Sequence, residues 1–191
     1  MDLKGFASGE FPVAGDRGFG GIALRSAKKP LIAAIEGFAL AGGLEIALSC
    51  DIIVAGEGAL VGLPEVGVGV IPGGGGTQLL VRRVGWSRAA RMIFTAAKLP
   101  AAEALALGAV DEVVVAGGAR GRALELARTI AANSPVGLRN AKRAMRLGAD
   151  VDLASGLEIE DACWRATAFS GDRREGVAAF AEKRTPNWPG R

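Results

Sequence analysis

The chain has 191 residues, half of them hydrophobic and 23% charged, with a formal net charge of +3. It can bury the core of one substantial domain with a small helical appendage, which excludes wholesale disorder. Histidine is absent, excluding Ser-His-Asp and Cys-His nucleophile systems and His-ligated zinc, so acid–base chemistry falls to carboxylates, Lys or Cys.

Met1 to Gly21 is rich in Gly and charge and shows no period, so it reads as loop with one short helical turn; it also lacks the apolar run of a secretory leader. Leu31 to Ile35 is short and nearly all apolar, the mark of a strand buried on both faces. Glycine-rich Gly37 to Gly43 precedes a short helix over Leu44 to Ser49, and Ile52 to Ala55 is a second buried strand. A short extended piece near Leu60 to Leu63 leads through Pro64 and Glu65 to a loop ending in Pro72 and Gly73 to Gly76. Helices are expected from Thr77 to Val84, from Ser87 to Thr95 and from Ala101 to a Gly108 C-cap, then a strand over Val110 to Val115.

Beyond Gly118 the pattern is nearly continuous helix. Ser134-Pro135 is a start signal, with Ser as N-cap and Pro at the first helical position. Asp172 to Glu175 resembles a capping box with Asp in the Ser/Thr role. Leu153, Leu157, Trp164 and Ala168 share one helix face, as core or as a subunit interface. Lys and Arg are interspersed with Glu and Asp through the C-terminal half, with no aromatic pattern of the kind that forms a base-stacking platform, so a solvated surface is expected ahead of a nucleic-acid site. The small positive excess equally suits a phosphate-bearing ligand. No apolar stretch reaches the length of a membrane span. Cys50 and Cys163 are too few and too isolated for a disulfide framework or a Cys-rich metal site, and read as buried thiols of a cytoplasmic protein. The coarse class is α/β with a helical C-terminal region.

Two glycine clusters, Gly42-Gly43 and Gly73 to Gly76, each stand before a predicted helix, where free N–H groups and the dipole favour an anion. Neither fits a P-loop or a dinucleotide fingerprint. An amide at Gly42, with no side chain above it, is open to a developing oxyanion. Glu45, just inside the first helix, and Glu65, after the second buried strand, are carboxylates embedded in apolar sequence. They read either as a helix-terminus Glu and a surface-turn Glu, or as a pair facing across a pocket that divides proton removal from proton delivery.

The run Pro30 to Asp51 (PLIAAIEGFALAGGLEIALSCD) resembles the central signature of the crotonase, or enoyl-CoA hydratase/isomerase, superfamily. Gly62 to Gln78 (GLPEVGVGVIPGGGGTQ) resembles its second signature at the family's spacing, and Ala101 to Val115, DRREG from Asp172 and FAEKR from Phe180 continue the likeness. The resemblance implies a ββα spiral core over residues 1–116, incomplete at the N-terminus, and a C-terminal helical trimerisation region over 117–191. It places the second oxyanion amide on Gly42, the two catalytic glutamates on Glu45 and Glu65, and a water-positioning glycine on Gly73. Both glutamates together imply a hydratase adding water to a trans-2-enoyl-CoA, with no metal or redox cofactor and CoA as the substrate's handle. Double-bond migration and a non-catalytic, RNA-binding role are the alternatives within the superfamily. A homotrimer or homohexamer is implied.

The likeness departs at the start. The family's first oxyanion donor lies in a motif resembling Ala-Gly-Ala-Asp-Leu-Lys, which here begins at Met1-Asp2-Leu3-Lys4, so the donor falls on Met1. Met1, Leu3 and Lys4 are the positions expected against the acyl-CoA.

Overall fold

The computed structural model describes residues 5, 8–10, 13–23 and 27–191. They divide into two compact units, one of residues 31–124 with the described residues ahead of position 24, the other of residues 27–30 with 125–191.

In the first unit successive strands alternate between two sheets. β1 (Ile32–Ile35), β3 (Ile52–Gly56) and β6 (Glu112–Val114) form one, parallel throughout with β3 central. β2 (Phe38–Leu40), β4 (Leu60–Gly62) and β5 (Lys98–Pro100) form the other, β4 lying parallel to β2 and antiparallel to β5. Helix α1 (Gly42–Ser49) follows β2, α2 (Gly76–Val84) and α3 (Trp86–Phe94) follow β4, and α4 (Ala101–Leu107) follows β5. Two strands and a helix therefore recur, which is the ββα spiral expected. The pairing Ile32↔Ile52 through Ile35↔Ala55 stacks one turn on the next, as does Phe38↔Leu60 through Leu40↔Gly62.

An aspartate one residue ahead of a strand locks each turn to the strand before it. Asp51 Oδ2 accepts from the Leu31 amide at 2.7 Å, and Asp111 Oδ2 accepts from the Ile53 amide at 2.7 Å while pairing with Arg83. Between the sheets and helices lie Leu44, Ile53, Val61, Leu63, Leu80 and Met92, all fully buried. Each such side chain contributes roughly 1.5–3 kcal/mol by leaving water.

Two differences from the sequence reading have simple causes. β1 is mostly half-exposed, because among the described residues it is the edge of its sheet, whereas β3 at the centre is buried from Ile53 to Gly56. β2 and β5, not anticipated, have three residues each, too few to display a period of two.

The second unit is helical. The division falls within α5 (Ala119–Ala131), and α6 (Pro135–Gly148), α7 (Leu153–Ala168) and α8 (Gly171–Ala181) follow. Ser134 caps α6 as expected, its Oγ accepting from the Gly137 amide at 2.9 Å with Pro135 in the first turn. Asp172 is not the cap of α8. Ser170 is, through its Oγ and the Arg173 amide. Asp172, fully buried, accepts instead from Ser134 Oγ (2.6 Å), the Val136 amide (3.0 Å) and the Gly190 amide (2.6 Å). Leu153, Leu157 and Trp164 are exposed and therefore do not form this unit's core; Leu153, Leu157 and Trp164, with Met145, line an apolar groove of about 650 Å³ along α6 and α7. Among the described residues no helix is long and apolar enough to cross a membrane.

Candidate active site

The chain enters α1 through Ala41, whose φ of 52° and ψ of −125° are unusual for a residue with a side chain. This turn ends β2 abruptly and starts α1 at Gly42, with no side chain capping the helix N-terminus. The first amides of α1 therefore donate no hydrogen bond to a side chain at the N-cap. One turn in, Glu45 is buried, 3% exposed.

Glu45 reaches the second glycine cluster. Its Oε1 accepts from the amides of Gly74 at 2.6 Å and Gly76 at 2.9 Å. The anion favoured by the N-terminus of α2 is thus supplied by the chain itself. Only glycine fits either position. A Cβ on Gly74 would lie 2.6 Å from Glu45 Oε2, and one on Gly76 would lie 2.9 Å from Oε1 and 2.8 Å from Pro72 Cβ.

Glu65 opens a short 3₁₀ turn, Glu65–Val68, after β4 and is 8% exposed. Its Oε2 is buried with no hydrogen-bond partner among the described residues. Burial, joined by the nearby charge of Glu45, pushes the Glu65 carboxyl above the usual range, against the lowering effect of its own backbone amide. A buried carboxyl oxygen without a protein partner is available to hydrogen-bond water or a ligand group. The structure therefore brings together Glu45 and Glu65, two buried carboxylates close enough to feel one another, one clamped by backbone and one open. Removing a proton from one molecule and delivering one to it is chemistry such a pair can perform.

The remaining expected residues fall as follows. Gly42 stands at the first position of α1, on the same helix as Glu45. Gly73 is exposed in the turn before α2, next to the Gly74 that binds Glu45. Met1, Leu3 and Lys4 lie outside the described residues. Sequence reasoning did not single out Gly74 and Gly76 within their cluster, nor Phe19, whose ring lies against Gly42. The run of four glycines contained the first signal; nothing in a Gly-rich loop marked the second. Among the described residues no three His, Cys, Asp or Glu side chains are grouped to hold a metal ion.

Residues 21–191 match the enoyl-CoA hydratase/isomerase family. The chain is 49% identical over 161 residues to the probable mitochondrial enoyl-CoA hydratase 2 of Arabidopsis thaliana, covering 84% of this chain and 54% of that protein. It is 44% identical to the 2,3-dehydroadipyl-CoA hydratase of Escherichia coli K12, covering 88% of this chain and 66% of that one. It thus spans between about half and two thirds of these curated relatives. The crystal structure of enoyl-CoA hydratase from Mycobacterium tuberculosis H37Rv superposes with a TM-score of 0.95 at 40% identity, over 100% of this chain and 75% of that one. With two signatures, a ββα spiral and a family match over nearly its whole length, the chain belongs to the enoyl-CoA hydratase/isomerase family.

Proposed function

We propose that the chain is an enzyme that adds water across the double bond of a trans-2-enoyl-CoA to give a 3-hydroxyacyl-CoA. The observation that carries this reading is the pair of buried glutamates with opposite surroundings. Glu45, held on Oε1 by two amides, orients a water and takes its proton as the water oxygen bonds to the β-carbon. Glu65, whose carboxyl burial holds in the protonated form to higher pH, delivers a proton to the α-carbon. Negative charge that develops on the thioester oxygen is received by the Gly42 amide, and Gly73 helps hold the reacting water. Removing one such oxyanion donor typically costs about 3 kcal/mol of transition-state stabilisation. The reading needs no metal or redox cofactor, since CoA enters only as the substrate's handle. Met1, Leu3 and Lys4 are its candidates for acyl-CoA contact. A homotrimer or homohexamer goes with it, and the exposed Leu153, Leu157 and Trp164 of α7 suit a subunit interface.

Crotonyl-CoA tests it. Loss of the conjugated thioester's absorbance, with 3-hydroxybutyryl-CoA as product, is expected from the chain and abolished in Glu45→Gln or Glu65→Gln. A migrated double bond from a 3-enoyl thioester, without hydroxy product, would replace hydration by isomerisation.

A further inference from the structure

Phe19 belongs to neither family signature, yet it touches both glycine clusters of the site. A Cβ built on Gly42 would overlap the Phe19 ring at Cζ and Cε1, and one on Gly74 would lie 2.9 Å from Phe19 Cβ and 2.6 Å from Glu45 Oε2. The side chain therefore has its root beside Gly74, the glycine whose amide binds Glu45, and its ring tip against Gly42. Its backbone is held in place. Phe19 pairs with Val13 in an isolated antiparallel bridge, the Ala23 amide donates to Phe19 O at 3.1 Å, and a Cβ on the next residue, Gly20, would lie 3.1 Å from Ile46 Cδ1 of α1.

We propose that Phe19 is a specificity-determining residue whose ring walls the space between Glu45 and Gly42 and so excludes branches on the reacting acyl carbons. This rests on the hydratase reading for the orientation of the ligand, with its thioester oxygen at Gly42 and its β-carbon toward Glu45. A straight enoyl unit then lies along the ring, whereas a methyl group on the β-carbon meets it. A rigid aromatic wall discriminates sharply, because a single extra methyl group in an apolar pocket changes selectivity by roughly 10–200-fold. The ring accounts for the absence of a side chain at Gly42, and Phe19 Cβ adds to the Glu45 carboxylate in excluding one at Gly74.

The test compares the unsubstituted chain with Phe19→Ala and Phe19→Leu, the second keeping an apolar filler should the first fold poorly. Hydration of crotonyl-CoA and 3-methylcrotonyl-CoA is measured as kcat/KM. Binding of 3-hydroxybutyryl-CoA and 3-hydroxy-3-methylbutyryl-CoA is measured by calorimetry, which needs no turnover. Both substitutions are expected to shift preference toward the branched ligand, by about tenfold or more for Phe19→Ala. A preference unchanged within about twofold in folded variants overturns the role of Phe19, whether or not crotonyl-CoA is hydrated. A shifted binding preference without any turnover sustains the wall and removes the hydratase reading. Failure of the unsubstituted chain to bind either thioester overturns both.

Discussion

Gly74 donates its amide to Glu45 Oε1 across 2.6 Å from a position where a side chain would strike the other oxygen of the same carboxylate. The bond and the missing side chain are two halves of one constraint. Gly74→Ala keeps the amide but forces the carboxylate or the backbone to move by a good fraction of an ångström. Misplacement on that scale can reduce turnover by about a hundredfold. We expect Gly74→Ala to fold and to lose about that factor in crotonyl-CoA hydration, measured as kcat. Full activity in this variant would mean that the geometry of Glu45 does not limit the reaction.

Glu65 makes stability depend on pH. Its carboxyl titrates above the ordinary value of about 4.3 because it is buried and lies near the charge of Glu45. Below the ordinary value the carboxyl carries its proton in folded and unfolded chains alike, and its contribution to stability is fully present. That contribution is lost as the pH rises through the raised value, where the folded chain must ionise a buried group. Glu65→Gln, which cannot ionise, is therefore expected to gain in melting temperature relative to the unsubstituted chain between pH 4 and pH 8. In a Glu45→Gln background the gain should be smaller and level off at lower pH, because one of the influences raising the folded-state value is gone. Thermal unfolding across this range checks both, and parallel melting curves would contradict them.

Much of this site was legible because its determinants are local. Glu45 and Glu65 stood out as carboxylates in apolar sequence, and the glycine clusters before helices marked where backbone amides have no partner within their own helix. The contacts that were not legible join distant segments. No local pattern says that Gly74 and Gly76 face Glu45, 29 and 31 positions away, or that Phe19 lies over Gly42. The same holds for the fold. α1 to α4 follow from periodicity and glycine stops, while β2 and β5 are strands only because β4 pairs with them. Asp172 shows a local rule overtaken by a distant partner. Its place before Glu175 fits a capping box, but Ser170 takes that role and frees the carboxylate for Ser134.

Ala41 holds φ of 52°, a region that strains a residue with a Cβ by about 1–3 kcal/mol. Its peptide link to Gly42 sets the direction of the amide assigned to the oxyanion, so the strain sits where orientation matters. Ala41→Gly removes it at an unfolded-state entropy cost of about 0.4–1 kcal/mol. A net gain of about 1 kcal/mol is expected from the urea midpoint at unchanged slope. Ala41→Val should instead destabilise, since a β-branched side chain tolerates this conformation poorly. Destabilisation by the glycine would show that the surroundings favour the alanine methyl enough to outweigh the strain.

Asp172 should behave opposite to Glu65. Burial alone would raise its carboxyl, but hydrogen bonds from Ser134, Val136 and Gly190, with the charge of Arg139, outweigh it and hold the group below the ordinary value of about 4. Its ionised form is therefore favoured by folding, a contribution present above the ordinary value and lost as the pH falls through the lowered one. Asp172→Asn keeps the shape but gives up the charge, and one of its polar atoms becomes a donor facing donors. Hydrogen bonds to a charged acceptor are worth roughly 1.5–3 kcal/mol, so a loss of about 2 kcal/mol is expected at pH 7 and a smaller one near pH 3. Because Asp172 ties the first turn of α8 to the start of α6 and to Gly190, the loss should appear first as faster amide exchange at Val136 and Gly190. Equal destabilisation at both pH values would assign the role of Asp172 to its shape and not to its charge.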